Sequence, residues 1–318
     1  MRTFVGILFF LITCAVAVSA QQEQLYTQFM YGKLTFNPAY AGSYESTSFT
    51  ALFRNQWVGF PGAPKTQLLS INIPVSNQRI GFGITATNSS IGISERQTLD
   101  GAYTYRFSVG ESGFLSIGLQ SSLRRYTVDF TDDRLLGIDG IALDPSISPQ
   151  IFNRNIVNFG AGIYYSQPNF YVGLSAPRLS EADLDFDNSF GVSKEERIFY
   201  AMAGSVISLS NDWTFSPQFL FKYADNVPWD LDINASITYD DRLTLGMSYR
   251  HGGDSSSLAE SLDLIFGVQI TDALTLGVAY DFSLTGFREQ SSGSVEGMIR
   301  YIIGRSRSSD DEVNPRYF

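Results

Sequence analysis

The chain has 318 residues, of which 44% are hydrophobic and 14% aromatic, and its formal net charge is -10 at pH 7. This acidic balance argues against nucleic acid as a partner, because nucleic-acid binding depends on a basic surface. The single cysteine is Cys14, so a mature chain that lacks the first 20 residues can form no disulfide and has no thiol nucleophile.

The N-terminus has the pattern of an export signal. Arg2 precedes an apolar run over residues 4–18, and the small residues VSA follow as a cleavage site. A lipid anchor at Cys14 is disfavoured, because Thr13 is a poor residue before a lipidated cysteine and the apolar run continues past it. We therefore predict a signal peptide over residues 1–20.

Residues 21–45 lack a regular pattern. The motif FNPAYAGS contains Pro38 and Gly42, which favour turns, and no alternation of apolar and polar residues is sustained between residues 25 and 43. We expect a periplasmic lead-in or a plug segment. A simple turn before the first strand explains NPAYAG as well as a binding role does.

The chain then repeats one pattern up to residue 303. In residues 274–284, LTLGVAYDFSL, apolar side chains alternate with small or polar ones over 11 residues, the length that a tilted strand needs to cross a bilayer. Fourteen segments of this kind are predicted as strands. They are 46–58, 64–75, 79–88, 95–109, 113–128, 154–167, 169–178, 196–209, 213–224, 228–239, 243–251, 258–270, 274–285 and 292–303.

The connections alternate in length. The short ones are 76–78, 110–112, 168, 210–212, 240–242 and 271–273. Those between them are longer, including 87–95, 129–153 and 179–195, except near residues 225–228. Short periplasmic turns and longer extracellular loops are typical of outer-membrane barrels. The sequence thus predicts an all-β transmembrane barrel of about 14 antiparallel strands over residues 46–303, with a periplasmic tail over residues 304–318.

A soluble β-sandwich would show the same alternation with its apolar face inward. A closed barrel is favoured because it leaves no strand edge exposed, and because aromatic residues near the segment ends resemble an interfacial girdle. These are Trp57, Tyr164, Tyr165, Trp213, Tyr223, Trp229 and Tyr239.

An ordered set of short motifs extends over most of the mature chain. It comprises QFM at 28–30, NPAYAG at 37–42, RNQW at 54–57, GAPKT at 62–66, GFGI at 81–84, FYVGLS at 170–175 and NPRYF at 314–318. In these motifs the chain resembles the PorP/SprF family of Bacteroidetes outer-membrane proteins, which serve type IX secretion and gliding. The resemblance implies a barrel that assists the export or surface retention of particular secreted proteins, including large adhesins.

Candidate partner-binding residues come from these motifs and from acidic outward loops. They are Asn37, Pro38, Tyr40, Gly42, Arg54, Gln56, Trp57, Pro64, Asp139, Asp144, Asp183, Asp185 and Asp187. Arg54 and Gln56 are expected to face the lumen, with Phe53 and Trp57 toward lipid. The carboxylates expected to pair with Arg54 are Asp100, Asp232, Asp263 and Asp281.

Catalytic and metal-binding signals are weak. His251 precedes Asp254 and Ser255, which a hydrolase could use, but the composition of an exposed loop explains HGGDSSS equally well. The loop DLDFDN resembles the start of a Ca²⁺ loop, but Asn188 replaces its turn glycine and Lys194 its bidentate glutamate. We therefore predict no enzyme activity and no cofactor.

The sequence-based hypothesis is a non-enzymatic accessory barrel of type IX secretion. Expected partners are outer-membrane lipid, a secreted protein or its C-terminal sorting domain at the extracellular mouth, and periplasmic or outer-membrane components of the secretion system. The alternative is a transport barrel for small or hydrophobic solutes. An open lumen would favour transport, whereas residues 129–153 or 21–43 could fold inward and block it.

Overall fold

The computed structural model describes residues 24–44, 46–75, 79–132, 150–184, 194–225, 227–252, 260–284 and 291–303. Within these ranges no helix is both long and apolar enough to cross a membrane. The chain is instead dominated by β-strands, which pair antiparallel with their neighbours in sequence.

Fourteen strands form the barrel. They are β1 (Ser48–Asn55), β2 (Lys65–Val75), β3 (Ile80–Ile91), β4 (Ser94–Val109), β5 (Gly113–Asp129), β6 (Ile151–Gln167), β7 (Phe170–Arg178), β8 (Ile198–Ser205), β9 (Trp213–Ala224), β10 (Val227–Tyr239), β11 (Leu243–His251), β12 (Ser261–Gln269), β13 (Leu274–Ser283) and β14 (Ser294–Ile302). Two short additions lie outside this set. Ile207–Ser208 pairs with the start of β9, and Ala182–Asp183 pairs with Lys194–Glu195.

The barrel closes between its first and last strands. Ser48 pairs with Ile302 and Asn55 with Val295, so β1 and β14 are in register along their whole length. Because β8 also pairs with β9, the sheet has no gap. The predicted fold class is confirmed, and the alternative of a two-sheet sandwich is wrong.

The two faces of the wall differ as the alternation predicted. On β13, Val278 is 54% exposed on the outer surface while its neighbour Ala279 is 4% exposed inside. Apolar side chains therefore face hydrocarbon, and the lumen receives small or polar ones. Tyr164 is an exception to the predicted girdle, because it shares the inward face of β6 with Asn158 and is buried.

One predicted long connection is a strand hairpin. Residues 87–95 complete β3 and begin β4, which are joined only by Gly92 and Ile93, with Gly92 at φ 55°. Sequence alternation did not predict these strand ends, because neither of their faces is apolar. In the structure, however, Asn88 pairs with Gln97 and Ser90 with Glu95. Strands β4 to β6, with 16 or 17 residues each, are longer than the roughly 9–11 residues that cross hydrocarbon.

Residues 24–44 lie inside the barrel, and we call them the lumenal segment. The segment contains two 3₁₀ turns, Phe29–Tyr31 and Pro38–Tyr40, with a short α-helix, Lys33–Phe36, between them. Its apolar side chains pack against inward residues of the wall, including Leu52, Leu68 and Met202. The lumen therefore contains a hydrophobic core. The predicted division of the chain into a signal peptide, a segment over 21–45, a barrel over 46–303 and a tail stays a prediction.

Candidate partner-binding site

The NPAYAG motif is a capped turn in the C-terminal half of the lumenal segment. Asn37 Oδ1 accepts a hydrogen bond from Ala39 N at 2.9 Å, which caps the 3₁₀ turn, and Asn37 Nδ2 donates to Ile163 O at 3.0 Å. Thr104 Oγ1 on β4 donates to Pro38 O at 2.8 Å. The motif thus joins itself to two strands of the wall, and Asn37 is fully buried.

Glycines on the inner wall let the backbone of this segment approach closely. A Cβ atom added at Gly118 would clash with the backbone of Pro38 and Ala39, and one added at Gly81 would clash with Ala41 and Gly42. Added Cβ atoms at Gly162 and Gly173 would clash with the side chain of Asn37. We call these four residues, Gly81, Gly118, Gly162 and Gly173, the glycine track. Only glycine permits this separation between segment and wall.

The glycine track connects motifs that are separate in the sequence, because two of its glycines come from different motifs and both contact NPAYAG. Gly81 comes from GFGI, and Gly173 comes from FYVGLS. Ser175 of the second motif donates to Phe36 O at 2.6 Å. Motifs that lie far apart in the chain therefore meet on one side of NPAYAG, and their shared role in this structure is to hold the lumenal segment.

The end of the motif is anchored on strands β2 to β4. Gly42 has φ 70°, a left-handed conformation that favours glycine. Its N–H donates to Asn72 Oδ1, and its carbonyl accepts from the guanidinium of Arg106. Tyr40 packs edge-to-face on Tyr164 at 5.5 Å between ring centroids, which accounts for the inward position of Tyr164.

Arg54 is the centre of a buried charged group that we call the Arg54 cluster, comprising Thr27, Gln28, Arg54, Asp281 and Glu296. Arg54 Nη2 lies 2.5 Å from Asp281 Oδ2, and Arg54 Nη1 lies 3.3 Å from Glu296 Oε2. The carboxylate of Glu296 also accepts the N–H groups of Thr27 at 2.9 Å and Gln28 at 2.8 Å. The cluster therefore fixes the start of the lumenal segment to strands β1, β13 and β14.

Asp281 was among the carboxylates that the sequence offered as partners for Arg54, and Glu296 was not. The inward position of Glu296 on alternating β14 could have suggested it, but no local signal links it to Thr27, 269 residues earlier. Asp232 instead pairs with Arg250 at 2.6 Å. The predicted lumenal orientation of Arg54 and Gln56 agrees with their burial.

Lys33 lies in the lumenal segment between aromatic rings. Its Nζ atom is 4.0 Å from the ring centroid of Tyr171 and 5.6 Å from that of Tyr40. The rings offer this ammonium a cation–π environment in place of water.

The remaining candidate residues lie away from the lumenal segment. Gln56 N donates to Pro64 O at 2.9 Å at the base of the connection between β1 and β2. Trp57 begins that connection with φ 49° and is half-buried, and its predicted orientation toward lipid stays a prediction. Asp183 lies in the short pairing after β7. Asp139, Asp144, Asp185 and Asp187 lie outside the described residues.

The described residues give little support for a hydrolase site at His251 or for a Ca²⁺ site in the DLDFDN loop. In these parts of the chain, no group of three or more His, Cys, Asp or Glu residues is placed to hold a metal ion. His251 packs against Trp229 with tilted rings, 4.6 Å between ring centroids. Asp254 and Ser255 are outside the described residues, as is most of the DLDFDN loop.

A closed antiparallel barrel whose outward side chains are apolar and whose inward side chains are small or polar belongs to the class of outer-membrane barrel proteins. The family described as "Type IX secretion system membrane protein PorP/SprF" matches residues 18–301. The chain belongs to this family, as its motifs suggested, and it is an outer-membrane protein. Comparison with curated protein sequences finds no match.

Solved structures of other barrels are distantly similar. Omp33 of Acinetobacter baumannii has 9% identity and a TM-score of 0.47, with 81% of this chain and 99% of that chain covered. A TodX mutant, a monoaromatic hydrocarbon channel, has 12% identity and a TM-score of 0.47, with 85% and 92% covered. A FadL homologue of Pseudomonas aeruginosa has 11% identity and a TM-score of 0.41, with 83% and 91% covered.

Proposed function

We propose that this protein is a non-enzymatic accessory of type IX secretion that docks or anchors a secreted surface protein at its extracellular mouth. The observation that carries the proposal is the filled lumen. Buried contacts hold the lumenal segment to strands on opposite sides of the barrel, from Glu296 on β14 to Ser175 on β7. A filled barrel of this family is better suited to binding at its ends than to passage through its centre.

The filled lumen counts against the alternative function of solute transport. Phe29, Ala39 and Tyr40 are each at most 3% exposed, so lumenal space is occupied by a packed core. Passage of a solute would require this segment to move away from the glycine track and the Arg54 cluster. The N–H groups of Thr27 and Gln28 would then leave the carboxylate of Glu296. Each hydrogen bond to a charged group contributes about 1.5–3 kcal/mol, which disfavours spontaneous opening.

The extracellular rim offers the surface for docking. Strands β4 to β6 continue beyond the length that hydrocarbon requires, and exposed polar residues such as Gln97, Arg125 and Arg154 lie on this extension. In sequence, the acidic candidates Asp139 and Asp144 fall between β5 and β6, and Asp183, Asp185 and Asp187 fall between β7 and β8. We assign the secreted protein or its sorting domain to this rim.

Periplasmic or outer-membrane components of the secretion system would contact the opposite rim. The short turns and the end of the lumenal segment at Gly42 lie there. We assign no catalytic step and no cofactor to either rim. Among the candidate residues, Asn37, Pro38, Tyr40, Gly42 and Arg54 then act by holding the lumenal segment, and the rim residues act in binding.

Cell-surface proteomics tests the docking role. Deletion of the gene is expected to leave most type IX cargo exported while one or a few proteins fail to appear at the surface or to stay attached. Shortening residues 133–149 should reproduce this defect while the barrel still folds, because surface loops tolerate deletion better than strands. A matched deletion of residues 285–290 controls for loop removal in general. An unchanged surface proteome with altered uptake of a small solute would instead favour transport.

A further inference from the structure

The two rims of the barrel can be assigned from its connections. Ser48, where β1 begins, pairs with Ile302, where β14 ends, so both ends of the barrel chain lie at one rim. The tight turns after β4, β6 and β10 lie at this rim too. In outer-membrane barrels that rim is periplasmic, and the opposite rim is extracellular.

The C-terminal end of the lumenal segment lies at the periplasmic rim. A Cβ atom added at Gly42 would lie 2.5 Å from Gly81 Cα and 3.4 Å from Ile80 O, and Ile80 is the first residue of β3 after the turn. The carbonyl of Gly42 accepts a hydrogen bond from Arg106, near the periplasmic end of β4. The chain then enters β1 at Ser48.

The N-terminal end of the segment lies in the extracellular half. Thr27 and Gln28 donate to Glu296, the third residue of β14 counted from the extracellular rim. Gln24 lines a small polar cavity together with Arg178, the last residue of β7 before an extracellular connection. Thr87 and Thr98 line the same cavity, from the extracellular halves of β3 and β4.

We infer that the lumenal segment is threaded from outside to inside, so that the N-terminus of the mature protein is presented at the extracellular mouth. Three residues precede Gln24 after a cleavage at residue 20, and they can span at most roughly 10 Å. Thr87, beside Gln24, is seven residues along β3 from Ile80, which places it roughly 18 Å above the periplasmic turns for a strand tilted by about 40°. The terminus therefore cannot reach the periplasm.

The direction of threading changes what each end of the chain can contact. A periplasmic partner can reach the segment only near residues 41–44, whereas the terminus lies among the extracellular connections. If docking occurs at the extracellular mouth, as proposed above, the terminus becomes part of that surface. The topology itself does not depend on the docking proposal, and its test uses no secreted partner.

Epitope tags on intact cells test the direction. One ten-residue tag is inserted between Ala20 and Gln21, the same tag is placed after Ser255 as an extracellular control, and a third copy follows Phe318 as a periplasmic control. We expect antibody to bind the first two on intact cells and the third only after the outer membrane is permeabilised. Binding to the N-terminal tag only after permeabilisation would overturn the inference, provided that heat-modifiable mobility on a gel shows a folded barrel.

A smaller change covers the case in which the tag prevents folding. Gln22→Cys adds one thiol to a mature chain that has none, and an impermeant maleimide should label it on intact cells several-fold above Ser308→Cys. Labelling that requires permeabilisation places the terminus in the periplasm and contradicts the inference. Labelling in neither condition would also contradict it, since the terminus would then be enclosed by the wall. N-terminal sequencing of the same sample verifies the cleavage site.

Discussion

Glu296 shows how one side chain can hold two parts of the chain together. Its carboxylate is fully buried on β14, accepts two N–H groups of the lumenal segment and lies beside the guanidinium of Arg54. Removing one member of such a group leaves the others buried without compensation, which is costly. The family motif RNQW therefore has a structural role at Arg54.

We predict that Glu296→Gln destabilises the folded barrel by about 3 kcal/mol, because the amide keeps the shape but removes the charge that faces Arg54 and one of the two acceptor oxygens. The measurement is the temperature at which the purified protein in detergent loses its heat-modifiable mobility. Glu111→Gln, at the exposed turn between β4 and β5, is the matched control. Equal unfolding temperatures for the two variants would contradict the role of Glu296.

At the scale of the element, the lumenal segment depends on the shape of the wall beside it. The glycine track brings backbone against backbone at Gly81 and Gly118, and it accommodates Asn37 between Gly162 and Gly173. A segment with few regular hydrogen bonds of its own, apart from two 3₁₀ turns and one short helix, is thus ordered by tertiary contacts.

We predict that Gly118→Ala displaces the lumenal segment, since the new methyl group would overlap the backbone of Ala39. The cost should be about 1–3 kcal/mol, as for other overpacked cores, with faster proteolysis of residues 24–44. Gly101→Ala is the control, because Gly101 lies on β4 with nothing within 4 Å of an added Cβ atom. If both variants resist protease like the parent, the close approach at Gly118 is not important for the segment.

At the scale of the whole molecule, the orientation of the barrel in the membrane decides which rim can bind a secreted protein, and the filling of its lumen decides whether a solute can pass. In sequence, Ser255 falls between β11 and β12, Ser292 between β13 and β14, and Ser210 between β8 and β9. We assign the first two connections to the extracellular rim and the third to the periplasmic rim. We expect single cysteines at positions 255 and 292 to react with an impermeant thiol reagent on intact cells, and Ser210→Cys to react only after permeabilisation. Reversed labelling would invert the barrel and with it the assignment of the docking rim.

We also predict that the intact protein gives no large steady conductance in planar bilayers, because the packed lumenal segment occupies the lumen. A variant that lacks residues 24–43 should conduct ions if its barrel still folds, as judged by heat-modifiable mobility. Large steady currents from the intact protein would show an open lumen and favour the transport alternative.

The sequence alone determined the strands and their two faces, because alternation with a period of two is a local property that each strand carries. All fourteen predicted strands are present, and the one long connection that was predicted wrongly, residues 87–95, lacks an apolar face to reveal the strand. The family motifs were also visible. The sequence did not show that these motifs meet around NPAYAG, because strand order and barrel closure bring them together.

Only the tertiary structure decided what fills the lumen and how the motif residues act. Asn37 and Gly42 have little local pattern beyond turn chemistry, and their contacts with Ile163 and Asn72 lie 126 and 30 residues away. Arg54 reaches Glu296 across 242 residues of sequence. Such contacts depend on the curvature and register of the closed wall, and a one-dimensional pattern contains neither, so the direction of the lumenal segment could be read only from the folded barrel.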